Sequence, residues 1–180
     1  MKIFFVTHNK GKVEEFKHIL EGIEVEQIDD DYPELRDDNP EEIVKEAVKK
    51  LAEKYNKAVV AEDSGLFIKA LNDFPGTSSA YIHKRIGLKG ILKLMEDKED
   101  RSCEYRSAVG YCEPGKEAVS FLGREKGTIA EKERGEFGFG HDPIFIPEGN
   151  EKTYGEMKEV KEKKKFRKEA VLKLMKYLKG

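Results

Sequence analysis

Apolar and polar residues follow one another along this chain in two periods, one typical of strands and one typical of helices. Short apolar runs predict buried strands at residues 3–6, 25–28, 58–61 and 144–146. Apolar residues spaced three and four apart predict amphipathic helices after Asn9, after Asn39 and around Phe166. We therefore expect a fold in which helices pack against buried strands.

The strand predicted at residues 58–61 is followed by two adjacent carboxylates, Glu62 and Asp63. Ser64 and Gly65 predict a turn after them, because both residue types favour turns, and strand-like sequence resumes at Leu66. A carboxylate at the end of a buried strand costs free energy unless a metal ion or another cation compensates its charge. The segment therefore predicts either a functional site or an ordinary solvated junction between a strand and a turn.

The middle of the chain predicts a β-hairpin. Alternating polar and apolar residues predict strands at residues 103–111, 118–122 and 127–130, with a turn at residues 113–116. A loop is expected at residues 72–76, and a helix that includes Leu88 and Met95 follows it. The strands predicted at residues 103–111, 118–122 and 127–130 are expected to form the antiparallel part of a sheet.

Composition and charge limit the classes of protein that fit. The 180 residues suit one domain spanning residues 1–180, and 39% of them are charged although the net charge is only −2. A chain without a basic excess is not expected to bind nucleic acid, and no apolar stretch is long enough to span a membrane. Cys103 and Cys112 lack CxxC spacing, so we expect reduced core cysteines in a cytoplasmic protein.

The segment from Thr7 to Lys12 joins the first predicted strand to a helix whose predicted N-cap is Asn9. Free backbone N–H groups and the positive end of the helix dipole favour an anion at such a place, and Lys12 adds a full positive charge. A phosphate group would suit this segment, although a plain N-cap explains the same residues.

A second unusual segment is residues 136–143, where Phe137 and Phe139 are interleaved with glycine. This pattern is unfavourable for both helix and strand, so we expect a loop. A ring held in such a loop offers a flat apolar surface on which a nucleotide base can stack. Aromatic anchoring of the loop to the core is the alternative.

Taken in chain order, several short motifs resemble those of the inosine triphosphate pyrophosphatase family, the house-cleaning dITP/XTP nucleoside triphosphate pyrophosphatases. The matching segments are Thr7-x-Asn9-x-x-Lys12, Tyr32-Pro33-Glu34, Glu62-Asp63-Ser64-Gly65-Leu66 and Phe139-Gly140-His141-Asp142-Pro143-Ile144-Phe145, supported by Phe74-Pro75-Gly76 and Thr153-Tyr154-x-Glu156-Met157. Each motif alone is modest, but the ordered set is specific and extends from Thr7 to about Arg167.

The resemblance implies an α/β fold with an elongated mixed central β-sheet flanked by helices, and two lobes with an active-site cleft between them. It implies an enzyme that hydrolyses deaminated purine nucleoside triphosphates (ITP, dITP and XTP) to the nucleoside monophosphate and pyrophosphate. It also implies that Mg²⁺ is the cofactor and that the protein is a homodimer.

The resemblance also assigns roles to single residues. Glu34 and Asp63 are expected to bind the metal ion, and Asp63 to orient or deprotonate the attacking water. The residues expected to bind substrate are Thr7, His8, Asn9, Lys10, Gly11, Lys12, Ser64, Phe139, Gly140, His141, Asp142, Lys161, Phe166 and Arg167. Two further candidates are Glu62, which would support the ion or face solvent, and Lys50, which would reach the phosphates or stay solvated.

The chain departs from the family pattern at residues expected to select the base. The family carries Ser-His-Arg before its last helix, whereas this chain has Lys165-Phe166-Arg167, and Ser78 stands where a Tyr is expected. Arg167 is retained as a donor for the 6-carbonyl of the base, and Lys161 or Lys163 replaces an earlier family lysine. These differences leave open a pyrophosphatase with weakened base selection or a nucleotide-binding homologue without turnover. A Maf-like nucleotide pyrophosphatase fits the motif positions less well.

Overall fold

The computed structural model describes residues 1–30, 32 and 36–180, apart from the side chains of Lys161 and Glu162. Its strands are β1 (Lys2–Val6), β2 (Glu24–Ile28), β3 (Val59–Ile68), β4 (Phe74–Gly76), β5 (Ser102–Cys112), β6 (Val119–Ile129) and β7 (Phe145–Pro147). Its helices are α1 (Lys10–Ile19), α2 (Pro40–Tyr55), α3 (Ser79–Leu94), α4 (Val160–Lys163) and α5 (Lys165–Lys179). The helices predicted after Asn9, after Asn39 and around Phe166 are confirmed.

The strands form one mixed sheet in the order β2-β1-β3-β5-β6-β7, with β4 paired to β3 outside this path. β1 is parallel to both of its neighbours, and Phe4 lies opposite Glu26 on β2 and Val59 on β3. β4 is antiparallel to β3, and β7 is antiparallel to β6. The predicted mixed α/β sheet with flanking helices is confirmed.

The chain divides into two compact units, and β3, β5 and β6 contribute residues to both. The first unit comprises Met1–Asp63, Ser107–Gly123 and Phe166–Gly180, and the second comprises Ser64–Arg106 and Arg124–Lys165. That residues 1–180 form one domain stays a prediction.

In the first unit, α1 and α5 contribute their apolar faces to a common core with β1. The rings of Phe5 and Phe16 stack at 4.1 Å between centroids, and Leu174 of α5 belongs to the same buried cluster. A Cβ atom on Gly123 would lie only 1.9 Å from the carbonyl oxygen of Phe166. The absence of a side chain at Gly123 therefore lets the first turn of α5 lie directly against β6.

In the second unit, Arg101 joins the end of α3 to the end of β6. Its guanidinium donates hydrogen bonds to the carbonyl oxygens of Met95 (2.9 Å), Ile129 (2.8 Å) and Ala130 (2.8 Å). Nearby, the ring of Phe145 packs against a neighbouring ring with 4.3 Å between centroids, that of Tyr105. The contact between Tyr105 and Phe145 holds the start of β7, the strand that follows the segment Phe139–Asp142.

The turn predicted at Ser64 and Gly65 is wrong, because β3 continues through both residues to Ile68. Gly65 serves a different purpose: a Cβ atom there would lie 2.1 Å from the carbonyl oxygen of Gly76 on β4. The glycine permits a close approach of two backbones, and its turn propensity is overridden by strand pairing. As a result, Glu62 and Asp63 lie inside a ten-residue strand and not at its end.

Two other local predictions are also wrong. The strands predicted at residues 118–122 and 127–130 form one continuous strand, β6, which spans the charged residues between them. Part of the loop predicted at residues 72–76 is the short strand β4. In both cases pairing with a neighbouring strand supplies backbone hydrogen bonds that the local sequence does not reveal.

The structure also bears on the cysteines and on membrane insertion. Cys103 and Cys112 are buried and free, which confirms the prediction of core cysteines, and burial raises the pKa of the Cys103 thiol. Within the described part of the chain, no helix is long and apolar enough to cross a membrane.

Candidate active site

The segment Thr7–Asn9 leads from β1 into α1 and has the geometry predicted for a helix N-terminus. The Asn9 side chain accepts a hydrogen bond from the backbone N–H of Lys12 at 3.1 Å, which confirms Asn9 as the N-cap. The backbone N–H of Asn9 in turn donates to Thr7 Oγ1 at 3.1 Å. Lys10 and Gly11 form the first turn of the helix, so this segment presents the positive end of the α1 dipole.

Lys12 contacts the segment Glu62–Asp63 in the same unit. Its ammonium lies 2.7 Å from Glu62 Oε2 and donates to the backbone carbonyl of Glu62 at 3.2 Å. The Lys12 side chain is 15% exposed, so its charge is held by Glu62 at a partly open position. The two segments that the sequence singled out separately, around Lys12 and around Asp63, are therefore neighbours.

Each carboxylate oxygen of Glu62 has a positively charged neighbour, Lys12 at Oε2 and Arg167 at Oε1. Its Oε1 accepts from the Ser107 hydroxyl at 2.6 Å and from Arg167 Nε at 3.0 Å, and Arg167 also forms an ion pair with Glu15. Burial opposes the charged form of Glu62, but Arg167 and Lys12 outweigh it and lower its pKa to about 2. The alternative in which Glu62 faces solvent is therefore wrong, since the residue is only 4% exposed.

Asp63 follows Glu62 on β3, and successive side chains of a strand point to opposite faces of the sheet. It is 8% exposed. Among the described residues, no cluster of three or more His, Cys, Asp or Glu side chains could by itself hold a metal ion. Glu34, the second predicted metal ligand, lies outside the described residues.

The other candidate residues in the first unit are either exposed, as His8 and Lys50 are, or buried in contact with protein groups, as Phe166 and Arg167 are. His8 is exposed and pairs with Asp29, and Lys50 forms a surface ion pair with Glu46 at 2.6 Å within α2. Phe166 is buried, and Arg167, which was expected to read the base, is 1% exposed and contacts Glu15 and Glu62. The roles predicted for these residues at the substrate stay predictions.

In the second unit, the predicted loop around Phe139 is confirmed, and Asp142 organises it. The backbone N–H of Phe139 donates to Asp142 Oδ2 at 2.7 Å, and the Tyr105 hydroxyl donates to Asp142 Oδ1 at 3.3 Å. Gly138 and Gly140 have φ angles of 78° and 64°, which only glycine adopts without strain, so their spacing follows from the shape of the loop.

Sequence reasoning missed Lys164 in this unit. Its ammonium lies 2.9 Å from Asp142 Oδ2 and 3.9 Å from the centroid of the Phe139 ring. No motif marks Lys164, because it lies in a run of three lysines and the sequence does not reveal which of them is buried. Ser64 lies inside β3, and the side chain of Lys161 is outside the described residues.

His141, also in the second unit, is buried beside His83, and the two rings meet edge to face at 5.0 Å. Its Nε2 atom is buried and has no hydrogen-bond partner among the residues that the structure describes. Burial is the main cause that lowers the pKa of His141 to about 4, and His83 adds to it. His141 is therefore neutral in the folded protein at neutral pH.

This shift predicts a loss of stability in mild acid. Below about pH 6.5 the unfolded chain protonates His141, whereas the folded protein does so only near pH 4, so the free energy of unfolding should fall across this interval. The expected contribution is about 3 kcal/mol, measured by denaturant unfolding at several pH values. In His141→Gln this part of the pH dependence should vanish. Equal slopes in the wild-type protein and in His141→Gln would contradict the prediction.

The fold and the candidate site fit the class of nucleotide-hydrolysing proteins that the motifs predict. The fold is a mixed α/β sheet, Lys12 at a helix N-terminus is held by Glu62 next to Asp63, and Asp142 organises an aromatic loop. The sequence model of the Ham1 family matches residues 3–177, so the chain belongs to the Ham1 family. The predicted family membership is thereby confirmed.

Similar proteins cover nearly the whole chain. A dITP/XTP pyrophosphatase of Methanopyrus kandleri is 55% identical over 87% of this chain and 85% of its own length, and one of Pyrococcus horikoshii is 48% identical over the same shares. Among solved structures, the Staphylococcus aureus Ham1 protein has a TM-score of 0.86 at 30% identity and covers 100% of this chain and 99% of its own.

Proposed function

We propose that this protein hydrolyses deaminated purine nucleoside triphosphates (ITP, dITP and XTP) to the nucleoside monophosphate and pyrophosphate. Relatives at 55% and 48% identity carry the name dITP/XTP pyrophosphatase. The observation that carries the proposal is the position of Lys12, which lies in the first turn of α1 and is held by Glu62, the residue that precedes Asp63 on β3. This arrangement combines a phosphate-binding cation with a group able to act on water.

The phosphate groups are assigned to the segment Thr7–Lys12. A helix N-terminus supplies N–H donors and a positive dipole, and these are worth most when a fixed cation accompanies them. Glu62 holds the Lys12 ammonium in place, because the two groups are 2.7 Å apart and Glu62 is itself fixed by Ser107 and Arg167. Glu62 thus acts in this proposal by positioning Lys12.

The expected Mg²⁺ ion is assigned to Asp63 and Glu34. Mg²⁺ in such sites uses one or two carboxylates together with phosphate oxygens and waters, so a single Asp among the described residues fits this chemistry. Glu62 does not fit the role of a metal ligand, because both of its oxygens are held by cations or a hydroxyl. The bound ion would supply charge neutralisation at the phosphates, and Asp63 would orient or deprotonate the attacking water.

The base is assigned to the segment Phe139–Asp142, where the Phe139 ring is only partly buried and offers a stacking surface. Hypoxanthine and xanthine carry a carbonyl at position 6 where adenine carries an amino group. Donors that face this position would accept the former and leave an unpaired clash with the latter. Preference for deaminated purines follows from that difference.

The test measures pyrophosphate release from ITP, dITP, XTP, GTP and ATP, each with Mg²⁺ and with EDTA. We expect metal-dependent release from the three deaminated substrates at a rate roughly tenfold or more above GTP and ATP. Equal release from all five would favour the alternative of weakened base selection, which the replacement of the family histidine by Phe166 motivates. Binding of ITP without release would favour a homologue without turnover.

Two further properties belong to the same proposal. A homodimer and a cytoplasmic location are inferred from the family resemblance and from the composition of the chain. The molar mass in solution, measured by light scattering at several protein concentrations, tests the dimer. A mass that stays at 20.6 kDa would contradict it.

A further inference from the structure

Lys164 is a lysine that is almost completely buried although it lies in a strongly charged stretch of the chain. Its side chain is 2% exposed, and lysine is rarely buried to this extent without a partner. The partners are Asp142, whose side chain is also 2% exposed, and the face of the Phe139 ring. Lys164 occupies the junction between α4 and α5, where its backbone N–H donates to the carbonyl of Val160 at 3.2 Å.

The ammonium covers one face of the Phe139 ring. Its distance of 3.9 Å from the ring centroid is direct contact and typical of a cation–π interaction. Because Lys164 is shielded from solvent whereas Phe139 is only partly buried, the contacted face is the inner one. A base that stacks on Phe139 must therefore use the remaining, outer part of the ring.

The same ammonium also fixes Asp142. One oxygen of this carboxylate accepts from the Phe139 backbone N–H at 2.7 Å and lies 2.9 Å from Lys164 Nζ. One ammonium therefore contacts both the ring and the carboxylate that holds the loop. Without it, the buried charge of Asp142 would lose this ion pair, which is costly in a buried site.

We propose that Lys164 is a positioning residue for base binding: it supports the stacking ring of Phe139 from behind and orients Asp142. This inference rests on the proposed function, in which the segment Phe139–Asp142 binds the base. Lys164 would act on the affinity for the nucleoside part of the substrate and leave the affinity for the phosphate chain unchanged.

The experiment measures binding by calorimetry in EDTA, so that no turnover occurs, with ITP and with inorganic tripolyphosphate, which has no base. In Lys164→Met we expect the dissociation constant of ITP to rise roughly tenfold and that of tripolyphosphate to stay within about twofold. Lys164→Arg, which keeps the charge and stacks on aromatic rings, should recover most of the ITP affinity. Lys158→Met, an exposed lysine of the same unit, is the matched control.

If Lys164→Met does not fold, the double variant Asp142→Asn with Lys164→Met is compared with Asp142→Asn alone, so that the difference between them still reports on Lys164. Equal weakening of ITP and tripolyphosphate would overturn the inference and show a purely structural residue, and so would unchanged binding of both. Wild-type protein that binds ITP but releases no pyrophosphate with Mg²⁺ would refute the proposed activity and leave the test of Lys164 intact. Wild-type protein that neither binds ITP in EDTA nor releases pyrophosphate from it with Mg²⁺ would overturn both.

Discussion

Asp63→Asn should lower the rate of pyrophosphate release from dITP roughly a thousandfold while the protein remains folded. Asparagine keeps the size and hydrogen-bonding shape of the side chain, but it carries no negative charge for Mg²⁺ and cannot accept a proton from water. Because Asp63 lies within β3 and is only 8% exposed, a change of volume there would disturb the sheet, and the amide avoids this. Steady-state release of pyrophosphate at saturating Mg²⁺ measures the effect.

The control for this result is Asp97→Asn, which removes an acidic charge from an exposed position in the second unit. It should retain the wild-type rate. The free energy of unfolding of both variants, measured with a denaturant, separates loss of chemistry from loss of fold. A rate for Asp63→Asn within about tenfold of wild type would exclude Asp63 as the general base, whose contribution is typically a hundredfold or more.

Arg167→Met should destabilise the folded protein by about 3–5 kcal/mol, the largest effect on stability that we expect. Arg167 is 1% exposed and bridges two carboxylates that are also buried, Glu15 and Glu62. Burial lowers the pKa of Arg167, but the two carboxylates outweigh this effect and raise the pKa above its usual value. Methionine fills much of the same volume but leaves these charges with less compensation, so the cost comes from electrostatics and not from a cavity.

Equilibrium unfolding in urea measures this loss, with the exposed Lys168→Met on the same helix as the control. Glu15→Gln added to Arg167→Met should restore part of the stability, because it removes one of the two carboxylates that lose their ion pair with Arg167. Arg167→Lys should be intermediate, since a single ammonium cannot present the guanidinium's fork of donors to both carboxylates. A loss below about 1 kcal/mol in Arg167→Met would show that the network is solvated, as surface ion pairs are.

Local sequence was sufficient for most secondary structure and for the family. The N-cap at Asn9 and the helix start at Asn39-Pro40 were predicted from residue types that satisfy free backbone groups, and both are present. The ordered motifs predicted the inosine triphosphate pyrophosphatase family, and the match of the Ham1 family model over residues 3–177 confirms this prediction. Such features depend on neighbours within a few positions, and a single sequence contains that information.

Tertiary structure decided what the candidate residues contact. Ser64 and Gly65 have the composition of a turn, yet they lie inside β3, which pairs with β4 from Leu66 onward, because strand pairing outweighs local propensity. The acidic pair Glu62–Asp63 was visible in the sequence, but the contacts of Glu62 with Lys12, Ser107 and Arg167 bring together residues from four distant parts of the chain.

Lys164 shows most clearly that local sequence does not reveal which side chains are buried together. It lies between two lysines of equal charge, and only the fold selects it for burial against Asp142 and the Phe139 ring. The sequence thus determined which chemical groups this protein carries and where its strands and helices begin. The fold decided which charges are buried together, because the free energy of a buried charge depends on partners that are remote in sequence.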